Sequence, residues 1–116
     1  MEEFDIPIFK KSYELYKTIY SYRIIIAKQD RYTIWPKCEN TTLDIIELLL
    51  LASQKYKSEK LLVLENTSHK LNLLRIFIRL MKDIKSIDNK KYLALQTTID
   101  EIGRMLGGWI KSVKER

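Results

Sequence analysis

Apolar residues recur at helical spacing along almost the whole chain, with few interruptions. From about Ile6 to Lys28, the residues Phe9, Tyr13, Tyr16, Tyr20 and Ile24 are stepped by four, three, four and four, which sets them on one helical face. Asp5 is a candidate N-cap, and Pro7 falls in the first turn, where a missing N–H costs little. Gln29 to Pro36 form the first break, because Pro36 disfavours a helical Trp35 yet is able to open the next helix. The second helix is predicted from about Lys37 to Tyr56, with the weak helix formers Asn40, Thr41 and Thr42 near its start. Ser58 is a candidate cap for the third, which runs to about Ser86, with Glu59 favoured by the helix dipole. Ile87 to Asn89 make a short turn, and Asp88 caps a fourth helix that reaches about Lys114. Short connections at 56–58 and 86–89 force consecutive helices to lie antiparallel. The expected fold is all-α, an antiparallel up-down-up-down four-helix bundle, with residues 1–116 as a single domain.

Two of these helices are more apolar than one bundle core needs. On the third, Leu71, Leu73, Leu74, Ile76, Phe77, Ile78, Leu80, Met81 and Ile84 spread over roughly 220° at ~100° per residue, whereas a surface helix needs a stripe little wider than about 100°. The second carries Ile45, Ile46, Leu48, Leu49, Leu50, Leu51 and Ala52 against a thin polar edge of Asp44, Glu47, Gln54 and Lys55. The excess predicts a homo-oligomer, since large exposed apolar patches mark interfaces. The competing account is that long Lys and Arg stems cover it. The fourth helix has an ordinary core stripe of Ile99, Ile102, Met105, Leu106, Trp109, Ile110 and Val113. Gly103 and Gly107 lie four apart beside that stripe and point to close approach of another helix, although packing alone explains them equally.

Charge sharpens this picture. The net charge is +6, and the second half carries it: residues 59–116 hold 12 Lys/Arg against 7 Asp/Glu, while residues 1–58 hold 9 against 8. Such a balance points to nucleic acid, an anionic membrane surface or an acidic protein as partner. Arg75, Arg79 and Lys82 are spaced i, i+4, i+7 and share one narrow stripe, where like charges repel. Solvent or ion pairs within the bundle offset that repulsion in one reading, and nucleic-acid phosphates do so in the other. Arg104 and Lys111, seven apart, sit on the far face of the fourth helix, and in an assembled oligomer Arg104 is able to join the ridge of Arg75 and Arg79. The hydrophobic share of 46% argues against disorder, and 3 Gly with 2 Pro argue against an all-β fold.

Catalytic and metal constellations are missing from the sequence. One cysteine, Cys38, and one histidine, His69, cannot make a zinc site within one chain. Cys38 reads as a packed thiol, and a chain without disulfides fits the cytoplasm. Asp100 and Glu101, adjacent on a helix, point in different directions. There is no phosphate-loop or dinucleotide fingerprint. No cofactor, no metal and no enzymatic activity are expected. The acidic amino-terminal residues lack the features of a signal peptide, and the longest apolar run, Leu48 to Ala52, is far short of the ~20 residues of a membrane span. Seven tyrosines could stack on bases. Tyr13, Tyr16 and Tyr20 follow the apolar stripe of the first helix, which favours a core role.

The run Glu101-Ile102-Gly103-Arg104-Met105-Leu106-Gly107-Gly108-Trp109-Ile110 resembles the signature helix of a family of bacterial four-helix-bundle proteins. Leu74-Arg75-Ile76-Phe77-Ile78-Arg79-Leu80 resembles that family's arginine-containing helix, and helix order agrees over nearly the whole chain. Asp30 to Asn40 is similar only loosely, through Pro36-Lys37. The family includes proteins encoded in intervening sequences of 23S ribosomal RNA genes, labelled S23 ribosomal protein, and the accessory variability determinant of diversity-generating retroelements. The resemblance implies a homopentamer shaped like a tapered barrel with a positively charged surface or channel. For the retroelement branch it implies binding to nucleic acid, RNA or DNA, and to a reverse transcriptase. Arg75, Arg79 and Arg104 match the family's basic positions, while Lys82 and Lys111 come from face geometry. A ribosomal intervening-sequence protein and a purely protein-binding assembly module are the alternatives.

Overall fold

The computed structural model describes residues 6–115. Helix α1 spans Pro7–Tyr22, a 3-10 turn follows at Arg23–Ile25, and α2 is a single turn, Lys28–Arg31. The remaining long helices are α3 (Ile34–Gln54), α4 (Lys57–Asp83) and α5 (Asn89–Lys114). Helices α1 and α4 each pack on both α3 and α5, so α1 and α4 lie diagonally opposite. The fold is an all-α antiparallel four-helix bundle. All four long helices feed one core, whose fully buried side chains include Leu15, Ile19, Trp35, Ile45, Leu64, Leu74, Ile78 and Ile99.

The first helix is shorter than its apolar spacing predicts. It ends at Tyr22, not near Lys28, because Ile24, Ile25 and Ile26 are β-branched and crowd a helical turn. Ile26 leaves in extended conformation and is buried. The corner is then fixed by two arginines. Arg23 donates to both carboxylate oxygens of buried Glu39, at 3.1 and 2.7 Å, and Arg31 Nη2 donates to the Ile26 carbonyl at 3.0 Å.

The buried face of α1 also differs from the expected one. Ile8, Phe9, Ser12, Leu15 and Ile19 face the core. Tyr13 and Tyr20 are exposed, Tyr16 is half-buried, and Ile24 is 82% exposed, so the tyrosines do not have the core role expected of them. The two stripes have the same helical spacing. Burial selects the one with compact aliphatic side chains and leaves the hydroxyl-bearing rings where their oxygens meet water.

Helix α3 begins at Ile34, before Pro36 and not after it. Pro36 thereby occupies the first turn, whose N–H groups have no intrahelical partner. Trp35 is helical despite preceding a proline, and its complete burial outweighs that local preference. Helix α4 starts at Lys57 with Tyr56 at the N-cap, so Ser58 lies inside the helix and does not cap it. It ends at Asp83, short of Ser86, through a reversal at Lys85, where φ is 63°. The Ser86 N–H donates to Met81 O and the Lys85 N–H to Lys82 O, the bonding of a Schellman ending. Asp88 caps α5 as expected, its carboxylate accepting from the Lys91 N–H at 2.8 Å. Asp5 lies outside the described residues. No described helix is long and apolar enough to cross a membrane.

Candidate nucleic-acid interface

Antiparallel pairing of α4 with α5 sets Arg75 opposite Asp100 and Gly103. Arg75 Nη1 donates to Asn72 Oδ1 at 2.8 Å, and Nη2 reaches Asp100 Oδ1 at 3.4 Å. The Gln96 side-chain amide donates to the Arg75 carbonyl at 3.3 Å and ties the two helices at that level. A Cβ on Gly103 would stand 2.7 Å from Arg75 Nη2, so the missing side chain is what lets the guanidinium lie across α5. Gly107 meets nothing within 4 Å and leaves a bare stretch of helix one turn further on. Together Ser68, Leu71, Arg75, Asp100, Gly103, Arg104, Gly107 and Ile110 line a surface groove.

The sequence-predicted ridge therefore divides. Arg75 and Arg104 come together in the groove, with Arg104 exposed. Arg79 and Lys82 share the α5-facing flank of α4 but lie nearer Tyr92. Lys82 Nζ sits 4.5 Å from the centre of the Tyr92 ring, a cation–π contact. Arg79 Nε donates to Asp83 Oδ1 at 3.3 Å, and that hydrogen bond pushes its pKa above the ordinary arginine value. Lys111 is exposed on α5 and does not line the groove.

The repulsion along the ridge is thus offset within the chain, by Asp100 for Arg75 and by Asp83 for Arg79. Both pairs are long and solvent-facing, and such pairs contribute little to stability. They hold the guanidinium groups in place without consuming all five N–H donors of each. Asp100, Ser68 and Tyr92 do not stand out in the sequence as members of a site. Their signal is positional: Asp100, Gly103, Arg104 and Gly107 are stepped by three, one and three on one flank of α5, and Ser68 precedes Arg75 by two turns.

The other chemically notable side chains are placed by structure. Cys38 is buried, and burial pushes its thiol pKa up to about 12, which leaves it protonated and a poor nucleophile. Asp100 and Glu101 diverge, the first to Arg75 on α4 and the second to Lys11 on α1 at 2.7 Å. Its hydrogen bond from Lys11 lowers the Glu101 pKa. Among the described residues no group of three or more His, Cys, Asp or Glu is placed to hold a metal ion.

A family model described as bAvd-like matches residues 7–113. The chain belongs to the bAvd-like family. Of the two branches in the resemblance, this is the accessory variability determinants, which implies an accessory protein of a diversity-generating retroelement. The match reaches into every helix of this bAvd-like protein and stops one residue before the end of α5, so both sides of the groove lie within it. No curated protein matches the chain.

Proposed function

We propose that this bAvd-like protein is a non-enzymatic, homo-oligomeric scaffold that holds RNA or DNA by its phosphates beside the reverse transcriptase of a diversity-generating retroelement. The family resemblance supports a pentamer as that oligomer. The observation that carries the nucleic-acid reading is the pairing of Arg75 with Arg104 in a groove that includes bare Gly107 backbone. Glycine at that position admits a sugar-phosphate chain close to the helix, and the two guanidinium groups supply planar donor forks that match phosphate. Arg79 and Lys82 continue the positive flank in one direction, and Lys111 lies on α5 in the other. The contact reads charge and backbone, and sequence specificity belongs to the other components of the element.

The test is a fluorescence-anisotropy titration of labelled RNA and DNA at several salt concentrations. Binding by phosphate neutralisation gives a log–log salt slope of about 0.7–0.9 per neutralised phosphate. Arg75→Ala, Arg79→Ala and Arg104→Ala combined should weaken binding at every sequence tested and flatten the slope by roughly one unit for each phosphate left without its arginine. Binding that ignores both salt and these substitutions would falsify the proposal. If the triple variant changes oligomer mass and RNA affinity is negligible throughout, the arginines serve assembly.

A further inference from the structure

Two surfaces of the bundle remain apolar and uncovered, and they are different in shape. The first lies between α1 and α3. The Arg23–Glu39 pair sets the register of these antiparallel helices, which brings Tyr20 level with Leu43, Tyr16 with Ile46 and Tyr13 with Leu50. At ~100° per residue Leu43, Ile46 and Leu50 fall within roughly 60° on the flank of α3 that also carries Glu39, and the tyrosines span a similar arc on the facing flank of α1. The Tyr16 and Tyr20 rings stack with centroids 6.4 Å apart, and with Lys17 they line a shallow depression. The second surface is a convex ridge along the outside of α4. Leu62, Leu73, Ile76, Leu80 and Ile84 fall within roughly 80° of one another by the same arithmetic, with Asn66 and His69 in the same arc between Leu62 and Leu73. Leu62 is 65% exposed and Ile76 63%.

Resting on the homo-oligomer of the proposed function, we infer that the two surfaces are the two halves of one joint: the α4 ridge of one copy seats on the α1–α3 tyrosine face of the next. Coverage is the first argument. Because α4 is diagonal to α1, the ridge and the tyrosine face look in different directions, and a two-fold dimer through either one leaves the other bare. A ridge-to-face contact covers both, and its repetition closes into a ring where the rotation between copies divides a full turn. Relief is the second, since a row of aliphatic side chains fits a depression floored by flat rings. Charge is the third. The α1 rim of the face carries Lys10 and Lys17, and the ridge is bordered by Glu65 and Asp83. Glu65 has no ion pair among the described residues. The joint leaves the α4–α5 groove uncovered and repeats it once per copy.

Light scattering on two surface variants and their mixture decides the matter. Ile76→Glu with Leu80→Glu breaks the ridge, and Tyr20→Glu with Leu43→Glu breaks the face. All four positions are exposed. Each variant alone should run as a monomer of 13.9 kDa, and their equimolar mixture should form a two-chain species, because one intact ridge meets one intact face. Should a double variant lose its helical circular dichroism, Ile76→Gln and Tyr20→Gln carry the same test. A monomeric wild type overturns the inference, as does a variant that keeps the wild-type mass or a mixture that stays monomeric. The phosphate reading fails separately, through the arginine variants, which should keep the wild-type mass.

Discussion

The α4–α5 face and the α1–α3 face are built from the same kind of helix and end as opposites. On α4–α5, two glycines strip the surface and charged side chains fold across it, so polar donors lie on bare backbone. On α1–α3, rings and aliphatic chains fill the surface, and the ion pair of Arg23 with Glu39 is withdrawn to the corner. The lesson is that a bundle with a complete core has surface left to differentiate. One side presents charge on bare backbone, and the other presents apolar area.

The largest test removes the support common to both faces. Leu74 is fully buried on α4, with Ile76 and Arg75 as its neighbours on the surface. Leu74→Ala should cost about 2–5 kcal/mol in chemical denaturation and abolish RNA binding and assembly together. Loss of one with retention of the other would show that the faces do not share a scaffold. A smaller test separates the two glycines. Gly107→Ala should stabilise the isolated chain by up to about 1 kcal/mol, because the new methyl meets nothing. Gly103→Ala should gain less, since it must displace the Arg75 guanidinium. If close phosphate approach uses Gly107, that stabler variant binds RNA less well, and equal RNA affinity would remove Gly107 from the interface. The smallest test concerns pH. The backbone N–H of Lys91 holds the Asp88 carboxyl below its usual range. A lowered folded pKa contributes stability above the unfolded value of about 3.9, and that contribution disappears as pH falls through the folded pKa. The melting-temperature advantage over Asp88→Ala should be flat from neutrality to about pH 4 and shrink below it. An advantage unchanged in stronger acid would mean that the cap does not act through its charge.

The same contrast governs what is legible in the sequence. Helix α5 is legible down to its cap, since Asp88 is a strong N-cap residue and one stripe of Ile, Leu and Met leaves no rival face. The two glycines and Arg104 mark the groove. Helix α1 offers two apolar stripes of identical period, and spacing alone cannot choose between them. The choice depends on which neighbour lies on each side: Lys11 meets Glu101 of α5 and Arg23 meets Glu39 of α3. The start of α3 is hidden for a related reason, because Trp35 is held helical by tertiary burial. The grouping of Arg104 with Arg75 also needs three dimensions, as only the α4–α5 register brings them together, whereas Arg79 and Asp83 already stand four apart along α4.

The carboxylate of Asp100 gives the groove a threshold. An isolated anion that approaches Arg75 must evict a counter-ion already at 3.4 Å and gains little by the exchange. A polymer that carries a negative charge at every repeat meets several such groups at once, and each displacement raises the local concentration of the next phosphate. Occupancy then depends on linear charge density more than on the identity of any one anion. If the groove holds a strand as proposed, it filters by polymer character and favours the strand over free phosphate and nucleotides.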